Sequence, residues 1–390
     1  MNEMGKRVGG ANGPLTGGSG DPLTGSLAGA TFRFRTAATG LHAYAQTHLA
    51  SVTNAGVAQP SVDALLRWHE GQPPRDRLAT FPRLAEMERV DRDLYVGADE
   101  LYWFRVDDLR DLFLHLAWRG GRLTVEGDFY HRLSKDQRRD RAKRLLYRSR
   151  IDGLRRRRFT TLLYYLIYYP CWWWLEQTQD LHPIHAAGAR TDSAVILLAG
   201  ASGVGKSTLA VALASQPGAR LLSDSFVLHS GADVFAVREP VLLDGWSRRW
   251  LGTHGDELQT IDWRYGLNRS GYLLPAKRLA AGGRAGLLLF PRRAPQGYVR
   301  RISSEQAHQH MSAADFIIND LRRYWAFAAI IEQMVPGRLM TRRETQLAKL
   351  TAEVPCYEVG LTAEMTCAEA VETIVRLVPD RQLHAVRSRA

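Results

Sequence analysis

The chain has 390 residues, 45% of them hydrophobic, which is ample apolar content for the cores of two domains of ordinary size. Lys and Arg outnumber Asp and Glu by 52 to 40, and a formal charge of +12 so unevenly spread invites an anionic partner. Three cysteines, Cys171, Cys356 and Cys367, lack C-x-x-C or metal-ligand spacing, which excludes a disulfide framework and fits a reducing compartment.

Residues 1–30 hold nine glycines and repeat Pro-Leu-Thr-Gly at 14–17 and 22–25. So little apolar surface cannot offset the entropy of ordering the chain, and a disordered tail is expected. No charged segment followed by an apolar one resembles a secretion signal, so a cytoplasmic location is expected. From residue 31 the composition becomes globular. Phe32-Arg33-Phe34-Arg35-Thr36 alternates like a strand, and Leu41 to Leu49 has helical spacing. Short apolar patches (LYWFRV, LRDLFLHLAW) and a Gly120-Gly121 turn before RLTVEGDFY complete a small α+β N-terminal domain over residues 31–131. It carries no catalytic constellation.

Residues 132–180 read as a helical connector, basic and then aromatic. Between Arg132 and Arg158 there are thirteen Lys or Arg against three Asp, so this segment alone holds ten of the twelve net positive charges. RNA, DNA, a phospholipid surface or an acidic peptide would each suit it, and so would a solvated helix face with Leu145, Leu146 and Ile151 packing the other side. Neither the RRM pattern nor a helix-turn-helix signature is present. LLYYLIYYPCWWWL, residues 162–175, is broken by Pro170 and shorter than the ~20 apolar residues a spanning helix needs, so no transmembrane segment is expected. It reads as a buried helix packing the N-terminal unit onto the C-terminal domain, with an interfacial helix as the alternative.

Residues 181–378 are organised around AVILLAGASGVGKSTLAVAL, residues 194–213. An apolar strand runs into Gly200-Ala201-Ser202-Gly203-Val204-Gly205-Lys206-Ser207, which fits G-x-x-x-x-G-K-[ST] at every fixed position, and Thr208 onward reads as a helix. Backbone N–H groups must wrap a phosphate tail closely, so Gly200, Gly203 and Gly205 remove Cβ atoms that would block the approach or forbid φ > 0. The helix N-terminus faces the same anion, Lys206 adds charge for the β- and γ-phosphates, and Ser207 can ligate Mg²⁺. His185 lies ahead of a short turn and the loop strand, near the phosphate end if the register is right. After the helix, Ala219 to Ser223 reads as a strand ending in Asp224. A right-handed crossover predicts that this strand lies parallel beside the first, with Asp224 in reach of Mg²⁺ or of an incoming hydroxyl as metal ligand or general base. Residues 379–390 form a basic tail.

The run from Ile184-His185-Ala186-Ala187-Gly188 through GASGVGKSTLAVAL to Leu221-Leu222-Ser223-Asp224 resembles the HPr serine kinase family, and more closely its HPr-kinase-related branch, which includes peptide-modifying kinases of lasso-peptide clusters. Weaker similarity extends to Arg238 and Pro240, to LLLFPRRAPQG from Leu287, and to Val354-Pro355-Cys356-Tyr357-Glu358-Val359. Ser225 stands where the family usually has a second acid, Asp244 stands where a Lys is common, and the C-terminal signature of the reverse, phosphorylase reaction is not found. The resemblance implies an α/β fold, a P-loop nucleotide-binding C-terminal domain joined to the smaller α+β domain. It implies ATP and Mg²⁺, with the γ-phosphoryl group passed to a serine-type hydroxyl of a protein or peptide, such as a biosynthetic precursor peptide. Gly203, Gly205 and Lys206 would hold phosphates, Ser207 the metal, and Asp224 would take the hydroxyl proton. His185 and Arg238 are candidates for stabilising charge on the transferred group. The alternative is a nucleotide-switched binding module that uses the basic segment to hold an anionic partner without phosphotransfer. An ABC-type ATPase does not fit, because no LSGGQ-like stretch comes after the loop and Asp224 comes too early. A homo-oligomer is compatible with either reading.

Overall fold

The computed structural model describes residues 21–53, 59–74, 81–106, 109–265, 269–335, 337 and 339–378. The first element is a hairpin. Strands β1 (Leu23–Leu27) and β2 (Ala30–Thr36) pair antiparallel around Ala28 and Gly29, whose φ values of 47° and 100° give the tight-turn twist that suits a two-residue connection. The glycine content predicts disorder through residue 30, and Leu23 to Ala30 correct it. Leu27 and Ala30 are buried, and a ladder registered from Leu23↔Phe34 to Leu27↔Ala30 supplies what composition does not count. The rest of that tail, residues 1–20, and the basic tail 379–390 lie outside the described residues.

Helix α1 (Thr39–His48) comes next, then β3 (Val62–Glu70), β4 (Glu88–Asp91), β5 (Leu94–Val96), β6 (Glu100–Val106), β7 (Leu109–Arg119) and β8 (Arg122–His131). They form one sheet in the order β1-β2-β3-β8-β7-β6-β5-β4, with β3 parallel to both neighbours and the other pairs antiparallel. Along β8 the side chains alternate, with Leu123, Val125 and Phe129 on the buried face.

The connector begins with α2 (Gln137–Leu146), and the face is covered by its later elements: α3 (Ile151–Leu163), a π-helical turn (Tyr164–Tyr168) and α4 (Tyr169–Gln179). Pro170 does not break the run, contrary to the sequence-based expectation. The π turn ends just before it, and Pro170 takes the first turn of α4, where a missing N–H costs least. Tyr165, Tyr168, Tyr169, Trp172 and Trp173 are wholly buried. Tyr165 and Trp173 meet Trp103 and Trp118 of the sheet edge-on, while Trp172 and Tyr169 pack on Phe226 and Tyr324 of the C-terminal half. One apolar cluster therefore runs from Phe32 and Leu112 through the aromatic helix to Phe226, Leu228 and Phe327.

The remaining elements are β9 (His182–Ile184), β10 (Ala186–Arg190), β11 (Val195–Ala199), α5 (Lys206–Ala214), β12 (Arg220–Ser223), β13 (Val227–Ser230), β14 (Asp233–Ala236), β15 (Val241–Asp244), α6 (Gly245–Leu251), β16 (Gln259–Tyr265), β17 (Arg269–Leu273), β18 (Gly282–Arg293), β19 (Tyr298–Arg301), α7 (Ser304–Ile317), α8 (Asn319–Ile331), α9 (Leu339–Glu353), β20 (Cys356–Leu361) and α10 (Cys367–Val375). The main sheet runs β12-β10-β11-β18-β14-β13-β9, β20 adds to β18 and β19 to β20, and β15-β17-β16 form a small separate sheet. β11 lies at the centre and is buried from end to end. Ile196 and Leu198 face Leu209 and Leu213 of α5 and Val371 of α10, whereas Leu197 and Ala199 face Met311, Leu347 and Leu350 of α7 and α9. A strand covered on both faces reads as an unbroken apolar run, as Val195 to Ala199 does, and the fold is mixed α/β.

The expected neighbour relation of β12 and β11 is corrected. β10 lies between them, antiparallel to both, so β11 and β12 run the same way and end at the same sheet edge without touching. A short hairpin closes more readily than a helical crossover, and β10 takes the lane beside β11. Among the described residues no helix is long and apolar enough to cross a membrane, and the three cysteines are unpaired and buried.

Candidate functional site

The loop from Gly200 to Gly205 joins the end of β11 to α5. Its glycines adopt φ of 114°, 83° and 95°, in the left-handed region that favours glycine. Among the described residues nothing lies within 4 Å of where a Cβ would stand on Gly200, Gly203 or Gly205, so these glycines answer to backbone conformation and leave the loop interior open. Ala201, Ser202 and Gly203 are exposed, and Val204 is half-buried. Gly205 is the N-cap of α5 and offers no side chain to that helix end, whose N–H groups and positive dipole end face the loop.

Lys206 is nearly buried, and its Nζ donates to the carbonyls of Gly200 and Ala201, both at 2.9 Å. Burial pushes its pKa down to about 8, with Arg269 acting in the same direction and Asp224 opposing. Ser207 and Thr208 come next on the first turn. Asp224, one residue past β12, is 3% exposed, and its Oδ2 accepts from the Leu242 amide at 3.1 Å while Oδ1 has no hydrogen-bond partner among the described residues. Burial raises its pKa, and the Ser207 hydroxyl, the Leu242 amide, Arg269 and Lys206 act against that rise. Lys206, Ser207 and Asp224 thus converge from two elements on the mouth of the loop. A buried carboxylate oxygen without a partner beside a serine hydroxyl is a donor pair suited to Mg²⁺, which takes one or two protein oxygens and draws the rest from phosphate and water. No cluster of three or more His, Cys, Asp or Glu side chains able to hold a metal by themselves occurs among the described residues.

His185 and Arg238 take different positions around the loop. His185 stands one residue before the pair Ala186↔Ala199, opposite Gly200, and lines a cleft together with Ser202. Burial, with the charge of Lys206 acting the same way, pushes its pKa down to about 3, which favours the uncharged imidazole in the ligand-free site. Its Nδ1 has no hydrogen-bond partner among the described residues, and its ring meets Phe226 edge-on. Arg238 lines a small cavity of about 20 Å³ beside Asp224 and Glu239, and not the three clefts that border the loop. Its Nη1 donates to the Ser51 carbonyl at 3.1 Å, which ties the segment after α1 to the C-terminal half. Glu239, the next residue, lines that cavity and the cleft of His185 as well. Asp244, at a position where the resemblance suggests Lys, caps α6 by accepting from the Ser247 amide at 2.7 Å.

Three side chains that sequence reasoning missed belong to the site. Arg269 at the start of β17 supplies the cation near Lys206 and Asp224. Glu239 accepts a hydrogen bond from the Tyr164 hydroxyl and is near enough to Asp224 to feel its charge. Arg293, ending β18, donates to the Gly203 carbonyl at 3.4 Å. No motif flags them, because they arrive from separate strands and meet only through the sheet order.

The loop borders three clefts. The one of about 510 Å³ is lined by Gly200 to Val204 with Arg293 and His310, and two more flank it. One, of about 600 Å³, runs from Gly205 and Thr208 past the stacked rings of Trp246 and Trp250 to Leu361 and Met365. The other, of about 370 Å³, lies between the loop and the connector and is lined by His185, Ser225, Glu239 and Arg269 opposite Thr160 and Thr161 of α3. No protein-family model and no curated protein matches the chain.

Proposed function

We propose that the chain is an ATP-dependent kinase that passes the γ-phosphoryl group to a serine-type hydroxyl of a protein or peptide. The observation that carries this reading is the loop itself: three glycines at positive φ, the uncapped start of α5, and a buried lysine folded back onto loop carbonyls that a phosphate tail would displace. In this reading 200–208 is the P-loop of an HPr-kinase-like domain. The loop amides and Lys206 hold the β- and γ-phosphates, with Arg293 alongside, and the base stacks in the apolar cleft of Trp246 and Trp250.

The acceptor hydroxyl enters from the connector side. Asp224 takes its proton, the hydroxyl oxygen bonds to the γ-phosphorus as the bond to the β–γ bridging oxygen breaks, and ADP leaves with the bridging oxygen. Arg269 offsets charge on the transferred group, while His185 orients it by a hydrogen bond. Ser207 and Asp224 are the residues to hold Mg²⁺, which when bound neutralises charge on the β- and γ-oxygens. Exposed Ala201 and Ser202 line the phosphate side of the loop.

Ser225, which lines the acceptor cleft where the family has an acid, favours a second reading, a nucleotide-switched module that binds without transfer. One experiment separates them. Wild type and Asp224→Asn are compared for ATP binding by calorimetry and for transfer of radiolabelled γ-phosphate to polypeptides of an extract of the source cells. The kinase reading expects ATP binding to be retained, with a higher Mg²⁺ requirement because Asp224 also ligates the metal, and a transfer rate lower by ~10²–10⁴-fold in the variant. Equal transfer by both overturns the role of Asp224, and ATP binding without any transfer by wild type selects the switch.

A further inference from the structure

We propose that the corner where α2 turns into α3 is a docking surface for an anionic lipid membrane. Leu145 and Leu146, the last residues of α2, are 77% and 78% exposed, and Tyr147 beside them is 43% exposed. The sequence allowed these leucines to pack inward beneath a solvated face, and they do not. Three adjacent apolar side chains at a helix end, held out in water, are unfavourable and gain nothing inside this fold.

The charges around them are sorted in the same sense. Arg132 pairs with Asp111, Arg144 with Asp140 and Glu70, and Arg155 with Glu70 and Asp152, so these cations serve the fold. The acids of the segment are engaged as well: Asp136 caps α2, Asp140 is buried against the Leu133 and Ser134 amides, and Asp152 holds Arg155. Arg138, Arg139, Arg141, Arg148 and Arg150 remain on the outside, all exposed and without an acidic partner among the described residues. The corner is therefore apolar at its tip and uncompensated positive around it.

Nucleic acid would use the arginines but has no use for two leucines in water. An acidic peptide held by apolar contact needs a groove, and exposed Leu145 and Leu146 line none of the described clefts. An anionic bilayer matches both halves: arginines at the headgroups and leucines at the acyl boundary, the two-part signal that gives reversible peripheral binding. This surface lies at the far end of α3 from Thr160 and Thr161, and the inference does not rest on the kinase reading.

The test is co-sedimentation of the full chain with vesicles of phosphatidylcholine alone or mixed with phosphatidylglycerol. Binding is expected on the mixed vesicles, far weaker on the neutral ones, and falling with salt. Arg148→Gln with Arg150→Gln should lower partitioning roughly 25-fold, from about fivefold per surface arginine. Leu145→Ser with Leu146→Ser should lower it by at least about tenfold without lowering the melting temperature, since both side chains are exposed. No binding to the mixed vesicles overturns the proposal. Unchanged binding of the leucine variant overturns it too, because the contact is then purely ionic. So does loss of vesicle binding to an equal concentration of a short duplex DNA or single-stranded RNA, which would make nucleic acid the preferred occupant.

Discussion

Tyr164, on the π turn of the connector, donates a hydrogen bond from its hydroxyl to Oε1 of Glu239 at 2.6 Å. The bond spans the two halves of the molecule, and its neighbours do the same: Tyr168 donates to the Arg238 carbonyl and Tyr169 to the Asp320 carbonyl. The aromatic helix thus holds the wall of the cleft between the loop and the connector by three phenols, and the geometry of that cleft depends on a segment outside the loop.

Glu239 is pushed up to about 8 by burial, with the charges of Asp320 and Asp224 adding to the rise and the Tyr164 bond opposing it. A carboxyl whose folded pKa lies above its unfolded value of about 4.5 gives its full contribution below that value and loses it as pH rises through about 8. Glu239→Gln removes this titration. Denaturant melts of wild type and variant should converge near pH 4.5 and separate toward pH 8, with the variant the more stable at the higher pH. Parallel pH profiles would show that Glu239 titrates normally.

Lys206 behaves in the opposite sense. Its folded pKa of about 8 lies below the unfolded value of 10.5, so the unfolded chain binds the extra proton between them and the folding penalty of the buried ammonium is relieved as pH rises through that window. A phosphate tail favours the ammonium. ATP affinity should therefore weaken as pH rises above about 8, by up to roughly tenfold per unit. Calorimetry in buffers of different ionisation heat would register proton uptake on binding, and Lys206→Ala should abolish both the uptake and most of the affinity.

How much of the fold and site is legible in the sequence depends on the distance over which the signal is written. The loop, its glycines and the acid after the next strand lie within one local stretch, where a motif records backbone conformation directly, and β11 and α5 flank it as the apolar pattern of 194–213 indicates. The path of β10 between β11 and β12 is a contest between a hairpin and a crossover, which spacing alone does not decide. Arg269 and Glu239 reach the loop through strand order, and no local pattern marks a residue whose partner lies dozens of positions away. Leu23 to Ala30 show the converse failure: composition averages over a turn that two residues define.

The two arginines separate function from scaffold. Arg269→Gln should lower phosphotransfer by roughly tenfold or more, since it removes a cation from beside the transferred group, and should leave the melting temperature near that of wild type. Arg238→Gln breaks the bond to the Ser51 carbonyl and should cost about 1 kcal/mol of stability while transfer stays within a few-fold. The reverse pattern, read from paired melts and turnover, would return Arg238 to the site.

Gly203→Ala tests the loop's conformation without a clash, because the space a Cβ would enter is open. At a φ of 83° the substitution should cost roughly 1–2 kcal/mol, either as lost stability or as a loop that relaxes and binds ATP more weakly. Thermal melts and ATP titrations that both match wild type would show that the loop does not require this conformation.

The π turn sets the phase of the helix beyond it. Each residue added to or removed from a helix rotates the remainder by about 100° around the axis, so the widened turn at Tyr164–Tyr168 fixes the azimuth at which α4 emerges. At that azimuth Trp173 points to Trp118 and Trp172 to Phe226, about 100° apart around the same rod. Deleting one residue there would leave the chain almost as long and just as apolar, yet it would swing both indoles off their targets. The aromatic helix is keyed like a shaft, and a shift of one position unlocks the sheet and the loop from each other together.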